Sequence, residues 1–553
     1  MHLVTAAPPH APDSAPPVSP LLAVWLALLP PVLGLGLLGL AGWPGLRRLP
    51  RATLWLLGFY ALSQFLPALL APDPGLALGG AALRTGLLGG LIGLGAWLGG
   101  AQALAPLGIG LMVVYLTAVA GALSHPQDIY ITRLTHPYMT STTLGLAGTL
   151  GVWLALFTHS PQRDAQVWGR GGHSWTEQLS GWLASPLWRT LLGLSGALII
   201  LASGSRGALL AALVGTAAGT LRGRSRLGAA AMVLLGTLGA AGVWLGERLG
   251  ISALARFSDT ASSGRDLVWG TVAEVVRAYP LSGVGSYGLG RFLQLPQPCQ
   301  LWPDASGVAA PCPGWMSDLT ARIGSPWLIA HNGFLQQLAE TGPLGTAGLM
   351  TLLGLVLYAA WHSRQALLLA VVTGLLVANV NDNPLLVPTP FFGELFWVAA
   401  GAALYRLGLE VGVPGEVARP ASAPLTVGLL GAGTAALLAL PFWSARAAPP
   451  LTADPPRLMF LDAPGTASGE TYPMTAQFQG TDGAYRAVLN SCQTTCVPVS
   501  SQAVRIKDGH SDLINFAARI RPDARQTLTL RLYTDAGSTQ ATLLGEKSWE
   551  VTR

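Results

Sequence analysis

The chain has 553 residues, of which 51% are hydrophobic and 10% are charged, and its formal net charge is +6. Soluble proteins average about 25% charged residues, so the composition excludes an ordinary soluble globular protein. Apolar runs of about 20 residues, the length that crosses a bilayer as a helix, recur along the chain. We therefore expect an all-α polytopic membrane protein. The positive charge does not indicate nucleic-acid binding, because basic residues collect in the cytoplasmic loops of such proteins.

Twelve apolar segments are predicted to be transmembrane helices. Residues 1–20 precede them as a Pro/Ala-rich tail that is predicted to be disordered, and the tail has no Lys or Arg, unlike a cleaved signal peptide. Helices 1–8 are expected within residues 21–246 and helices 9–12 within residues 343–443. The individual segments are 21–41, 53–71, 76–99, 103–123, 138–157, 187–202, 207–221, 227–246, 343–361, 366–380, 390–407 and 424–443.

The basic residues between these segments predict their orientation. Arginines follow the first, fifth, seventh, ninth and eleventh segments. The positive-inside rule places all of these connections in the cytoplasm. Residues 247–342, the large loop between helices 8 and 9, are then expected to be extracytoplasmic, and so are residues 450–553.

The four cysteines lie in these two extracytoplasmic parts and in none of the apolar segments. Two pairs, each close in sequence, predict the local disulfides Cys299–Cys312 and Cys492–Cys496, because disulfides persist in oxidising compartments. Free thiols and a metal site remain the alternatives.

The large loop contains two segments with helical spacing. Leu267, Val268, Val272, Val275 and Val276 recur on one face of a helix that is predicted from Arg265 to Tyr279 and ends at Pro280. A second helix is predicted from His331 to Thr341, and Gly342-Pro343 should break it before the next span. Asn332, Gln336 and Glu340 follow one another at intervals of four, so they share a face of this second helix.

Residues 450–553 differ in kind from the rest of the chain. Apolar residues alternate in short runs, as in Thr527–Tyr533, and turn residues such as Asp482-Gly483 separate these runs. The pattern predicts a small β-sandwich of about 100 residues. A module that binds glycans or a partner protein and an inert cap are both compatible with it.

Two arginines are candidate phosphate ligands. Arg206 follows the small residues Ser203-Gly204-Ser205 at a predicted membrane boundary, and Arg265 follows Ser262-Ser263-Gly264 at a predicted helix start. A guanidinium is permanently charged and grips phosphate with a planar fork, and helix N-termini attract anions. The alternatives are a snorkelling arginine at a helix end and a solvated loop arginine.

His331 is the candidate acid–base residue, because a neutral imidazole accepts a proton near physiological pH. A loop histidine is more often structural, and that alternative stays open. The residues expected to bind substrate around it lie on the same predicted side of the membrane or beside it in sequence: Asn332, His136, Gln336, Asp382, Arg291 and Arg322. No outward loop carries a paired-carboxylate Asp-x-Asp motif, and the sequence has no Gly-rich phosphate loop with Lys. Neither a divalent metal nor a nucleotide cofactor is therefore expected.

The ordered motifs of the central region resemble the O-antigen ligase and polymerase superfamily, which also holds the bacterial protein O-oligosaccharyltransferases. The resemblance covers about residues 190–350, and its motifs are Ser205-Arg206-Gly207-Ala208, Gly264-Arg265-Asp266-Leu267-Val268-Trp269, Tyr279-Pro280-Leu281-Ser282-Gly283-Val284-Gly285, His331-Asn332-Gly333-Phe334-Leu335-Gln336 and Glu340-Thr341-Gly342. The first half resembles the family by hydropathy only. The C-terminal β-rich part departs from the family's usual pattern.

This resemblance implies a C-type glycosyltransferase fold in the cytoplasmic (inner) membrane, with an extracytoplasmic, periplasmic active site. The implied donor is a glycan on undecaprenyl pyrophosphate, transferred with inversion and without a metal. The family's paired arginines map onto Arg206 and Arg265, and its functional histidine maps onto His331. The acceptor would be the lipid A core, a growing polysaccharide chain or a protein Ser/Thr hydroxyl.

A lipid-linked glycan transporter, or flippase, is the alternative, since outer arginines would also bind a pyrophosphate there. A transporter should carry polar or charged groups deep in several spans. The predicted spans are nearly free of charge, and their polar residues gather at the outer ends. The sequence therefore favours a transferase.

Overall fold

The computed structural model describes residues 42–124, 133–134, 136, 139–158, 182–183, 185–223, 226–249, 265–293, 300–303, 309–311, 329–387, 392–410, 456–462, 471–492, 496–507, 510–511, 514–519, 526–534 and 542–551. The chain divides into two units. The first takes its residues from Met1–Phe59, Arg84–Ser258 and Met350–Gly431, and the second from Tyr60–Leu83, Asp259–Leu349 and Ala432–Arg553.

Helices make up most of the described part of the chain. They are α1 (Arg51–Ala68), α2 (Pro74–Leu98), α3 (Leu107–Ser124), α4 (Ser141–Phe157), α5 (Pro186–Ser203), α6 (Arg206–Gly223), α7 (Arg226–Leu249), α8 (Arg265–Ala278), α9 (Gly333–His362), α10 (Ala366–Ala378) and α11 (Phe392–Glu410). Short 3₁₀ helices cover Trp43–Arg48, Ala101–Leu104 and Leu289–Arg291. Ten of the twelve predicted segments coincide with a helix, and segments 21–41 and 424–443 lie outside the described residues.

Fewer of the described helices are both long and apolar enough to cross a membrane than the sequence predicts. By length and composition, α2, α5 and α9 are long and apolar enough to cross a bilayer. Shorter apolar helices cover Leu107–Leu123, Ser141–Phe157, Gly228–Ala241 and Ala366–Ala378. These apolar stretches have 10–17 residues, short of the roughly 20 that span a hydrocarbon core untilted, whereas α5 has 18. The structure is therefore consistent with a membrane protein, and the count of twelve spans stays a prediction.

Small residues let the helices of the first unit approach closely. The helix α4 contacts α5 and α6, and α6 contacts α10. A side chain at Gly148 of α4 would meet the Gly196 carbonyl of α5 at 2.6 Å. The Thr149 hydroxyl donates a hydrogen bond to the Ala208 carbonyl of α6 at 3.0 Å. Small residues at the contact and hydroxyls that bond across it are typical of helix packing in membranes.

The predicted break at Gly342-Pro343 is confirmed, and it explains how the large loop packs in the second unit. Gly342 has φ 62° and ψ −168° inside α9. Pro343 has no N–H to donate to the Ala339 carbonyl, so that carbonyl accepts from the Val284 N–H instead, at 3.0 Å. The Gly285 N–H donates to the Glu340 carbonyl at 2.8 Å. The loop after α8 thus satisfies the carbonyls that the break exposes.

Gly283 makes this contact possible, and we expect Gly283→Ala to destabilise the protein. The residue has φ 62°, and a Cβ there would lie 2.6 Å from the Ala339 carbonyl oxygen. The left-handed conformation costs a non-glycine residue about 1–2 kcal/mol, and overpacking adds about 1–3 kcal/mol. Thermal unfolding in detergent should show a lower midpoint. The matched control is Gly270→Ala on α8, where no atom lies within 4 Å; equal midpoints for the two variants would contradict this prediction.

The predicted loop helix is also confirmed, as α8 from Arg265 to Ala278. Its buried Val272 and Val275 form a core with Val284, Leu289 and Ala339 of the following segments. The face that the sequence predicts to be apolar is therefore the face that packs. Two short antiparallel strands, β1 (Gln300–Pro303) and β2 (Ala309–Pro311), follow in the same loop. Cys299 and Cys312 lie outside the described residues, so their disulfide stays a prediction.

The C-terminal part is an antiparallel sheet of eight strands. They are β3 (Arg457–Asp462), β4 (Thr471–Gln479), β5 (Gly483–Cys492), β6 (Cys496–Lys507), β7 (His510–Ser511), β8 (Ile514–Arg519), β9 (Gln526–Thr534) and β10 (Leu543–Val551). The hydrogen-bonded order is β10-β9-β5-β6-β7-β4-β3, and β8 also pairs with β4. The register of β5 on β6 runs from Gly483 opposite Ile506 to Cys492 opposite Cys496. The disulfide Cys492–Cys496, predicted from the sequence, closes this hairpin.

The predicted sandwich of two sheets is instead one curled sheet. The Trp549 indole on β10 donates to the Tyr472 hydroxyl on β4 at 3.3 Å, although these strands are far apart in the hydrogen-bonded order. Leu528, Leu530 and Leu532 of β9 contribute to the single apolar core inside the curl. Alternation along a strand reports which face is buried, not which strand is its neighbour, so the sequence does not distinguish the two arrangements. The strand β3 also contacts α8.

Candidate functional site

Arg206 is the first residue of α6 and lies in the first unit. The helix α5 ends at Ser203, and Gly204 follows in the left-handed conformation with φ 57°. The Ser205 hydroxyl then accepts a hydrogen bond from the Ala208 N–H at 3.3 Å, as an N-cap does. The tight turn predicted between two spans is therefore present. Arg206 stands half-buried at a helix N-terminus, where amides and guanidinium both favour an anion.

His136 lies in a segment that is joined to this turn. The Leu134 N–H donates to the Ala202 carbonyl at 3.0 Å, and Arg133 Nε donates to the Ser203 carbonyl at 2.7 Å. His136 itself is buried, and burial lowers the pKa of its imidazole. Its role in substrate binding stays a prediction.

Asp382 lies in the connection that follows α10, close to the start of α6. A Cβ on Gly207 would lie 3.7 Å from the Asn381 Cβ, so the connection that follows α10 passes beside the start of α6. Asp382 is half-buried there and accepts a hydrogen bond from the Asn383 N–H at 3.0 Å. The first unit thus gathers Arg206 and the connections that carry His136 and Asp382.

Arg133 was not among the residues that the sequence singled out. It is the only arginine in residues 124–137, a connection that the positive-inside rule predicts to be extracytoplasmic. A basic residue on the side where few are expected is a signal for function. The structure places Arg133 at the turn that precedes Arg206.

Arg265 is the first residue of α8 and lies in the second unit. Trp269 follows it by four residues, so the two side chains share one face of the helix. The Trp269 indole N–H donates to the Ala330 carbonyl at 2.8 Å. This bond joins the face of α8 that carries Arg265 to the segment that carries His331.

His331 adopts a backbone conformation that few residues adopt. Its φ is 49°, in the left-handed region. Such a conformation costs a non-glycine residue about 1–3 kcal/mol and persists only where the surroundings impose it. Strained residues of this kind cluster at active sites. The His331 side chain is half-buried, so it remains accessible to a substrate.

The neighbours of His331 supply that constraint. Asn332 Oδ1 accepts hydrogen bonds from the Phe334 N–H at 3.1 Å and the Leu335 N–H at 3.0 Å, so Asn332 caps α9. Gln336 Oε1 accepts from the Ala330 N–H at 2.7 Å. Asn332 and Gln336 were expected to bind substrate. The structure shows both engaged with the backbone around His331, and substrate contacts by either residue stay a prediction.

Glu340 supports Gln336 from one turn further along α9. Gln336 Nε2 donates to Glu340 Oε1 at 2.6 Å, and both side chains are buried. The shared face predicted from their spacing is confirmed. On the adjacent part of α9, the Gln337 amide donates to Gln64 Oε1 of α1 at 2.8 Å and to the Thr341 hydroxyl at 2.7 Å. Hydrogen bonds between buried side chains of this kind hold the first part of α9 rigidly in the second unit.

Arg291 lies in the second unit as well, but its environment is that of a packing residue. It is buried beside Asp73, with 3.6 Å between Arg291 Nη1 and Asp73 Oδ2. Burial lowers the pKa of the guanidinium, and the Asp73 carboxylate partly offsets this effect. Substrate binding by Arg291 stays a prediction, and Arg322 lies outside the described residues.

Two further ionisable residues in the first unit are buried, and the sequence did not predict them as functional residues. Arg84 is 2% exposed inside α2, and Glu394 is 7% exposed in the first turn of α11. A buried charge within an apolar helix is expensive and marks function by default. The signal was present in the sequence, as single charges within otherwise apolar segments.

The fold and these residues define a mostly helical protein that has helices able to cross a membrane and a C-terminal β-sheet part. No family model matches the chain, and no curated protein matches it.

Proposed function

We propose that this protein is a glycosyltransferase of the cytoplasmic membrane. It moves a glycan from undecaprenyl pyrophosphate to an acceptor hydroxyl on the extracytoplasmic side. The observation that carries the proposal is the left-handed conformation of His331, which follows Ala330, whose carbonyl is bonded to α8 and whose N–H is bonded to α9. A histidine held in this way is pre-organised for proton transfer.

The arginines act on the donor. Arg206 and Arg265 each begin a helix, where free amides add to the charge of the guanidinium. In the proposed reaction they bind the donor pyrophosphate and stabilise the charge that develops on the leaving group. His136 and Asp382, in the connections next to Arg206, contact the sugar or the phosphate.

His331 acts on the acceptor. Its neutral ring nitrogen takes the proton of the acceptor hydroxyl as the hydroxyl oxygen attacks the anomeric carbon. The bond from that carbon to the pyrophosphate oxygen breaks, and lipid pyrophosphate leaves with the electron pair. Attack opposite the leaving group inverts the anomeric centre. The reaction balances without a metal or a cofactor.

The acceptor remains one of three kinds in this proposal: the lipid A core, a growing polysaccharide chain or a protein Ser/Thr hydroxyl. The fold proposed for the helical part is the C-type glycosyltransferase fold with about twelve spans. The curled sheet of residues 456–551 would then be extracytoplasmic, where its Cys492–Cys496 disulfide can persist.

A lipid-linked glycan flippase is the second candidate, and one observation favours it. Arg84 is buried in the middle of α2, one of the helices able to cross a membrane, and a transporter should carry charged groups within its spans. Purified protein in detergent separates the two functions, because no membrane sides exist there to cross. We expect transfer of the glycan from a lipid pyrophosphate donor to an acceptor under these conditions. Binding of the donor with no transfer to any of the three acceptor kinds would favour the flippase.

A further inference from the structure

We propose that Trp269 and Gln336 are positioning residues that hold His331 in its reactive conformation. This inference rests on the proposed function, because it assigns how the base of that reaction is placed. Neither residue needs to touch a substrate to act in this way.

Ala330, the residue before His331, is held by hydrogen bonds from two helices. Its side chain is fully buried, and both of its backbone groups are used. The carbonyl accepts from the Trp269 indole of α8 at 2.8 Å, and the N–H donates to Gln336 Oε1 of α9 at 2.7 Å. Two different helices thus hold the two peptide groups on either side of the Ala330 Cα.

Asn332, the residue after His331, is held in place as well. Asn332 is fixed as the cap of α9, through two hydrogen bonds from the backbone to its side-chain oxygen. His331 therefore lies between two immobilised residues, and its φ of 49° is the conformation that joins them. The direction of the His331 Cα–Cβ bond follows from the backbone that these neighbours impose.

The hydrogen bond from Trp269 also relates Arg265 to the His331 segment. Arg265 lies one helical turn before Trp269 on the same face of α8. The indole hydrogen bond therefore also fixes the distance between the start of α8 and the His331 segment. In the proposed reaction, Arg265 binds the lipid donor and His331 takes the proton of the acceptor hydroxyl. This hydrogen bond therefore helps to set the distance between those two residues.

The test is Trp269→Phe, which keeps an aromatic ring and removes the N–H donor. We expect kcat for glycan transfer to fall about 10–100-fold, because a misplacement of about 1 Å costs about 10²-fold, while KM for the lipid donor stays unchanged. Trp55→Phe on the exposed face of α1 is the matched control, since that side chain is 79% exposed. A Trp269→Phe enzyme with wild-type kcat would overturn the inference.

A double variant separates positioning from a general loss of structure. If Trp269 acts through His331, Trp269→Phe should cause no further loss in a His331→Ala background. Multiplied losses in the double variant would show that Trp269 acts on something else. For Gln336, the comparison of Gln336→Leu with the exchange variant Gln336→Glu/Glu340→Gln is informative. The exchange keeps an oxygen for the Ala330 N–H and a donor–acceptor pair between positions 336 and 340, and Leu keeps neither, so the exchange should restore part of the kcat that Leu loses. Equal loss in both would remove Gln336 from the assignment.

Chemical labelling of His331 needs no turnover, so it tests the positioning role of Trp269 separately from the proposed glycan transfer. Diethyl pyrocarbonate modifies accessible imidazoles, and mass spectrometry locates the adduct. We expect Trp269→Phe to increase the labelling rate of His331 severalfold and to leave that of His362, at the far end of α9, unchanged. Unchanged labelling of His331 would overturn the positioning role even if the wild type transfers glycan. Absence of transfer by the wild type, with increased labelling of the variant, would reject the proposed function alone.

Discussion

His331→Ala is expected to lower glycan transfer by about 10²–10⁴-fold, the usual contribution of a general base, while affinity for the lipid donor stays at the wild-type value. A sugar or Ser/Thr hydroxyl is barely ionised at neutral pH, so it attacks slowly unless a base takes its proton. His331 is the half-buried residue held at φ 49° for this purpose in the proposed mechanism. Single-turnover kinetics and equilibrium donor binding by the purified variant measure the two quantities separately.

The competing role for His331 is that of a cation on the pyrophosphate. His331→Lys and His331→Arg should stay inactive if the residue is a base, because a permanent cation near neutral pH cannot accept the proton. Restored transfer in either variant, or a loss of donor affinity in proportion to activity in His331→Ala, would move the residue to the phosphate ligands. His362→Ala is the control, since that ring bonds the Tyr358 carbonyl of its own helix at 2.9 Å.

Arg265→Ala is expected to reduce transfer by about 10²–10³-fold, as removal of one fixed electrostatic donor does at comparable sites. Arg206→Ala should have an effect of the same size. Each arginine begins a helix, so each substitution removes a charge and leaves the helix amides in place. Arg265→Lys should recover only part of the activity, because a point charge cannot replace the bidentate fork.

The control for Arg265 lies on the same helix. Arg277 is exposed in the last turn of α8, and Arg277→Ala should retain wild-type transfer and the wild-type unfolding midpoint. Near-normal transfer by both Arg206→Ala and Arg265→Ala would remove these arginines from the mechanism. Salt dependence of donor binding adds a further check, since a lost phosphate contact weakens that dependence.

Local patterns in the sequence determined much of the secondary structure. Apolar runs located the helices, and the valine spacing gave the packed face of α8. Gly342-Pro343 predicted the break in α9, and alternating residues predicted the C-terminal strands. Each of these features depends on residues that are close in sequence. They are therefore visible in the sequence as a repeating apolar spacing, as turn residues, or as a proline that has no N–H to donate.

The tertiary structure alone decided how distant residues meet. The bond from Trp269 to Ala330, the ion pair of Arg291 with Asp73 and the strand order of the curled sheet join positions that are far apart in sequence. Such contacts leave no period in the chain, because either partner would look the same in a different pairing. The spacing of Asn332, Gln336 and Glu340 showed that they share a face, but only the folded backbone showed that two of them hold the His331 segment.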